Sequence, residues 1–178
     1  MVKLLVVSVF LLLLAGCNCP DGNTIYQDNL ETTCNGLPCG FILEAGSASV
    51  GTTYHAGEHG IRIETASAVR KDFDVSANLT LTPETVVRWM ALCDKSTSFE
   101  MVVGFDKGTT DILEISPAGT LSPFKEPAAV NEILFPLGTL GPTTPFPERL
   151  RSLRLETLGP GGCTLDDLWI YLPIECGG

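Results

Sequence analysis

Near the end of the chain, Asp166 and Asp167 are followed by Trp169 and Tyr171 inside a strand-like run, Thr164 to Leu172. Acids and aromatics at this spacing can bind sugar: rings stack on the apolar faces of pyranoses while a carboxylate takes the hydroxyls. Successive side chains of a strand point to opposite faces. Strict alternation therefore lines up Asp167, Trp169 and Tyr171 as a ligand face. It puts Asp166 with Leu168, Ile170 and Leu172, which read as core. A carboxylate at the edge of a core needs hydrogen bonds or a cation. Two plainer readings stay open. The rings can be covered by a loop or a second sheet, and Asp166 can simply accept backbone N–H groups at the strand entry.

The other chemically pointed stretch is the start. Lys3 precedes an apolar run from Leu4 to Leu14 broken only by Ser8, and Leu14-Ala15-Gly16-Cys17 closes it. This is the build of a signal peptide, too short for a comfortable membrane span. The tetrapeptide resembles the lipobox of bacterial lipoproteins. The resemblance implies cleavage before Cys17, a diacylglyceryl thioether on its sulfur and an acylated amino terminus. Three acyl chains would anchor the protein stably, where one would not. The chain then divides into a signal peptide (1–16), a lipidated cysteine with its tether (17–26) and one domain (27–178). In enteric bacteria an Asp after the lipidated cysteine favours inner-membrane retention. Asn18 stands there instead and points to the outer membrane of the bacterial envelope. The competing reading is an ordinary secretory signal with an incidental cysteine.

Of seven cysteines, Cys19, Cys34, Cys39, Cys93, Cys163 and Cys176 remain after Cys17. An even number in an exported chain reads as three disulfides, out of about fifteen connectivities. Cys34 and Cys39 flank the turn-rich Asn-Gly-Leu-Pro and can close a local bridge. Cys19 and Cys176 lie at opposite ends of the mature chain, and domain termini are often close together. Cys93 with Cys163 follows by elimination. Zinc competes for the same thiols, but no Cys-x-x-Cys pair is present.

Without Lys3, ten Lys and Arg face twenty-one Asp and Glu, a formal charge of −11 on the mature chain. Such a surface argues against nucleic acid and against electrostatic docking on anionic lipid. The two histidines, His55 and His59, sit among Gly57 and Gly60, which disfavour the helix that a metal-binding pair would use. Gly46-Ser47-Ala48-Ser49-Val50-Gly51 misses the Gly-x-Ser-x-Gly elbow, and neither a phosphate loop nor a dinucleotide fingerprint is found. Acids for glycoside cleavage are plentiful, but nothing selects a pair. Asn78-Leu79-Thr80 fits a glycosylation acceptor that a bacterial lipoprotein would ordinarily leave unmodified.

The elements that must position these residues read as strands. Ile61 to Glu64, Val69 to Leu81, Ser98 to Asp106, Asp111 to Ile115, Leu150 to Leu158 and Thr164 to Leu172 carry strand patterns between turn residues. Thr85 to Cys93 reads as a strand buried on both faces, with Trp89 in the core. Prolines crowd 116–148 and forbid a long helix, leaving loops and one strand near Ile133 to Phe135. Many short strands and no long period near 3.6 predict an all-β sandwich or barrel.

Gly161-Gly162-Cys163-Thr164-Leu165-Asp166-Asp167-Leu168-Trp169-Ile170 resembles the final strand of galactose-binding-like jelly rolls, a group that includes several carbohydrate-binding modules. Asp28-Asn29-Leu30-Glu31 is similar to their opening segment, without its aromatic residue and glycine. His55-Ala56-Gly57-Glu58-His59-Gly60-Ile61-Arg62-Ile63 is similar to their His-x-Gly-x-x-Ser-Leu-Arg-Leu segment. The resemblance implies a jelly-roll sandwich, which the cysteines would brace with disulfides. It also implies a structural calcium ion held by Glu31 and Asp166 with backbone carbonyls, since calcium takes six to eight oxygens. The expected function is a non-catalytic binding or structural module of the envelope, contacting glycan or an envelope protein. A glycan-acting hydrolase is the alternative.

Overall fold

The computed structural model describes residues 22–52, 57–95, 97–106, 112–115, 130–140 and 148–173. Its strands in chain order are β1 (Asn23–Asp28), β2 (Thr33–Cys34), β3 (Leu37–Pro38), β4 (Phe41–Ala45), β5 (Ala48–Thr52), β6 (His59–Ile63) and β7 (Ala68–Asp72). They continue as β8 (Thr80–Leu81), β9 (Val86–Cys93), β10 (Phe99–Asp106), β11 (Ile112–Ile115), β12 (Val130–Pro136), β13 (Glu148–Thr157) and β14 (Cys163–Leu172). They form two six-stranded sheets and a small β2–β3 ribbon. The first sheet runs β12-β9-β14-β6-β5, with β1 also on β14. The second runs β11-β10-β13-β7-β4, with β8 on β13. Every pairing is antiparallel, and the two sheets enclose the core as a disulfide-braced sandwich.

Alternation explains the core. Phe99, Met101, Val103 and Phe105 of β10 point inward, as do Val87, Trp89, Ala91 and Cys93 of β9, and all are buried. The Phe41 and Trp89 rings meet edge-on, centroids 6.0 Å apart, so the second sheet packs onto the first. Burying large side chains of this kind contributes about 1.5–3 kcal/mol each. Among the described residues no helix is long and apolar enough to cross a membrane.

Three local details differ from the sequence reading. The strand β1 begins at Asn23, inside the stretch read as tether. Val69 to Leu81 is not one strand: β7 ends at Asp72, and a 3-10 turn, Val75–Ala77, separates it from β8. Asp74 caps that turn by accepting the Ser76 N–H at 2.8 Å, and Asn78 leaves it in the left-handed region at φ 48°. Asp and Asn suit these positions because short polar side chains satisfy the terminal donors and tolerate positive φ. Third, β9 is buried along its inner face, but its outer face is mixed: Met90 is buried there, whereas Arg88, between the buried Val87 and Trp89, is only partly so.

Candidate functional site

The final strand carries the site, and its register decides the outcome. β14 pairs with β9 along most of its length. On its other edge it pairs with β6 over Cys163 to Leu165 and with β1 over Leu168 to Leu172. Asp166 and Asp167 fall at the changeover. There the β9 register slips, with Asp166 opposite Met90 but Trp169 opposite Arg88, so β14 holds one extra residue. Asp167 has φ 44° and lies at this bulge.

Opposed residues of an antiparallel pair share a face. Cys163 and Leu165 face the core with Cys93 and Ala91, and Ile170 faces it with Val87. Asp166, opposite Met90, lies on the outer face with Trp169. Strict alternation had placed it with Leu168, Ile170 and Leu172; the bulge corrects that expectation by shifting the pleat by one residue. It also breaks the continuous row of Asp167, Trp169 and Tyr171. Asp166 is 4% and Asp167 7% exposed, so neither offers an open carboxylate to a sugar. The Asp166 Oδ1 accepts the Asp167 N–H at 2.8 Å.

Trp169 and Tyr171 remain neighbours on the outer face, centroids 5.2 Å apart and planes tilted by 42°. The Trp169 indole N–H donates to Thr24 Oγ1 of β1 at 2.9 Å, which fixes the ring's orientation. Arg88 places its guanidinium 4.2 Å from the Trp169 centroid and reaches Glu132 of β12 at 3.3 Å. One face of the indole is thus covered by a cation, and the ring pair is half-buried rather than hidden beneath the other sheet. Sequence reasoning missed Arg88. Its signal was a lone arginine inside the apolar run Val86 to Cys93.

The outer face of the second sheet is different. Arg70 and Arg154 are bridged by Glu44, at 2.5 and 2.8 Å, and reach Asp72 and Glu156, each at 2.8 Å. These described residues are charged rather than aromatic.

Glu31 lies beyond the end of β1. Both its oxygens accept the Glu58 N–H at 3.0 Å, and Oε1 accepts the His59 N–H at 3.1 Å. These N–H groups, Glu58 first, hold the Glu31 carboxyl below the usual glutamate range. A Cβ on Gly57, at φ 71°, would fall 1.8 Å from Glu31 Oε1, so glycine is needed for this approach. Asp166 is a buried carboxylate at a break in strand pairing, and it already accepts the Asp167 N–H. Glu31 is likewise turned onto backbone donors. Among the described residues no group of three or more His, Cys, Asp or Glu side chains could hold a metal.

Disulfides join Cys34 to Cys39 and Cys93 to Cys163, with Cα atoms 4.8 and 4.1 Å apart. Cys93 and Cys163 are directly opposed in the β9–β14 ladder, so this bridge staples two neighbouring strands. Cys17, Cys19, Cys176 and His55 lie outside the described residues. His59 opens β6, and Trp89 is 1% exposed in the core.

A second polar cluster was not anticipated. Lys71 of β7 is only 4% exposed and points between the sheets, its ammonium 2.7 Å from Asp28 Oδ2 of β1. Burial alone pushes the Asp28 carboxyl up. The Lys71 ammonium, the Leu30 N–H and the Tyr26 hydroxyl outweigh it and hold the group below the usual range. Desolvation, then the neighbouring Asp28 charge, pushes the Tyr26 hydroxyl up. The signal lay in Val69, Lys71 and Phe73, whose alternation carries the lysine onto the core side.

No family model matches the sequence, and no curated protein is similar to it in sequence. Solved structures are similar in fold. The C-terminal family 22 carbohydrate binding module of Clostridium thermocellum Xyn10B superposes with TM-score 0.52 at 15% identity, covering 88% of this chain and 97% of that one. The CBM22-1–GH10 modules of the N-terminal Xyn10B xylanase, complexed with xylohexaose, give 0.52 at 10% identity; the match covers 88% of this chain but 30% of that one. The family 30 module of C. thermocellum cellulase Cel9D-Cel44B gives 0.51 at 14% identity, covering 76% of this chain and 87% of that one. At these identities the likeness is one of fold, the β-sandwich.

Proposed function

We propose that this chain is a lipid-anchored protein of the bacterial envelope whose sandwich binds glycan without catalysing its cleavage. The observation that carries the reading is the ring pair of Trp169 and Tyr171, half-buried on an outer sheet face and fixed by Thr24 and Arg88. Rings so held offer a sugar apolar area at little cost in side-chain entropy. The fold likeness to carbohydrate-binding modules supports the same reading.

The anchor is lipid on Cys17, and the absence of Asp directly after it favours the outer membrane over the inner. A structural calcium ion would be held by Asp166 and Glu31 with backbone carbonyls. An envelope protein on the same face is the competing partner.

The test is a glycan-array screen of the full chain purified in detergent with its disulfides intact, run with calcium and with chelator. Specific binding that is lost in Trp169→Ala supports the reading and identifies the face. Binding that survives Trp169→Ala moves the site elsewhere, and no binding in either condition transfers the function to a protein partner.

A further inference from the structure

At the end of β1 lies an open cavity of about 700 Å³, lined by Tyr26, Gln27, Asp28, Asn29, Thr32 and Cys39. Its one charged wall group, the Asp28 carboxylate, is matched by the Lys71 ammonium at 2.7 Å. That pairing decides which ligand fits. A further cation would meet the ammonium, and an anion would meet the carboxylate. An apolar ligand would strip water from Gln27, Asn29 and Thr32 without replacing its hydrogen bonds. A neutral ligand rich in hydroxyls incurs none of these costs.

The polar groups are arranged for such a ligand. A carboxylate offers about four acceptor sites. Lys71 and the Tyr26 hydroxyl, the latter at 3.1 Å, occupy Asp28 Oδ2, and the Leu30 N–H occupies one site of Oδ1 at 2.9 Å. Oδ1 therefore keeps an acceptor site in a fixed orientation. Beside it the Gln27, Asn29 and Thr32 side chains are exposed, and among the described residues none of the three has a hydrogen-bond partner. Each amide both donates and accepts, as a sugar hydroxyl does.

Strand register joins this cavity to the ring pair. Gln27 is opposed to Trp169 in the β1–β14 ladder, and Thr24, which holds the indole N–H at 2.9 Å, is opposed to Tyr171. Opposed residues share a face, and neighbouring strands lie about 4.8 Å apart. The indole thus reaches toward β1, and Gln27 is at once the strand neighbour of Trp169 and part of the cavity wall. We infer, on the glycan reading above, that the cavity is a second sugar subsite. A glycan seated on Trp169 and Tyr171 continues across β1 and places a neighbouring pyranose in the cavity, where Asp28 Oδ1, Gln27 and Asn29 take its hydroxyls. The site thereby selects the direction of the bound chain and the hydroxyl pattern of its next sugar.

The experiment is NMR of the full chain, nitrogen-labelled, in detergent and with its disulfides intact. Four probes are titrated in turn: xylotetraose, cellotetraose, β-linked galactotetraose and chitotetraose. With at least one of them, the Gln27 and Asn29 side-chain amide signals and the Trp169 indole signal should move together and saturate at one affinity. The double variant Gln27→Ala with Asn29→Ala should bind that probe about fivefold more weakly or worse, as expected for the loss of two neutral hydrogen bonds, with the indole signal still moving. An indole that moves while both amides stay still, with the double variant binding as wild type does, overturns the subsite and leaves the ring-pair reading standing. Amides that move without the indole overturn the shared path. No movement with any probe overturns the subsite and the glycan reading together. The wild-type readout stands whether or not the variant folds.

Discussion

The guanidinium of Arg88 lies 4.2 Å from the centre of the Trp169 ring, on the outer face of the first sheet. A cation over an indole face is worth about 0.5–1 kcal/mol at an exposed site. Its larger effect here is geometric. Arg88 shields one face of the indole, Thr24 holds its N–H and Tyr171 packs beside it, so the ring is fixed in orientation.

Trp169→Ala should therefore weaken glycan binding about tenfold or more, as expected for truncation of a central aromatic anchor. Tyr171→Ala should cost less, because its ring supplies only the flank. Titration calorimetry against the best array hit measures both. Equal affinity for wild type and Trp169→Ala would remove the ring pair from the account.

The two bridges should differ in their contribution to stability. Cys93–Cys163 spans 70 residues and Cys34–Cys39 only 5. Loop-closure entropy then assigns about 4 kcal/mol to the first and about 2 kcal/mol to the second. Denaturant melts of the two paired Cys→Ala variants should show the larger loss for Cys93 and Cys163.

Glu31 should govern part of the acid limb of stability. Its carboxyl is held low in the folded chain by the Glu58 and His59 N–H groups, so its protons bind more tightly in the unfolded chain. That contribution is present above the ordinary glutamate value of about 4.3 and is lost as pH falls through the lower folded value. Glu31→Gln should flatten the decline below about pH 4.3. Gly57→Ala should destabilise at all pH values, since its Cβ would displace the carboxylate and its φ is 71°.

Calcium can be read from melting temperature. Chelator should lower the melting temperature of the wild-type chain, and Asp166→Asn should abolish the difference. A melting curve insensitive to chelator and to added calcium would leave Asp166 stabilised by protein groups alone.

Membrane attachment is tested by fractionation. Cys17→Ser should move the protein from the membrane to the soluble fraction. Retention in the membrane fraction would sink the lipid anchor.

The amino-acid sequence by itself determined an all-β sandwich or barrel: turn residues between short strands, apolar alternation in Phe99 to Phe105, and prolines where no long helix can form. It also placed Trp89 in the core and Trp169 beside Tyr171, because period-two patterns and neighbouring positions are local properties. Tertiary structure alone decided the rest. The bulge at Asp167 depends on β14 changing partners from β6 to β1, a pairing between segments far apart in the chain, and it carried Asp166 to the outer face. Glu31 found its donors 27 and 28 residues away. Arg88 over Trp169, and Lys71 against Asp28, arise only when separate strands are brought side by side or face to face. Strand periodicity tells which way a side chain points within its own strand, but not what stands opposite it.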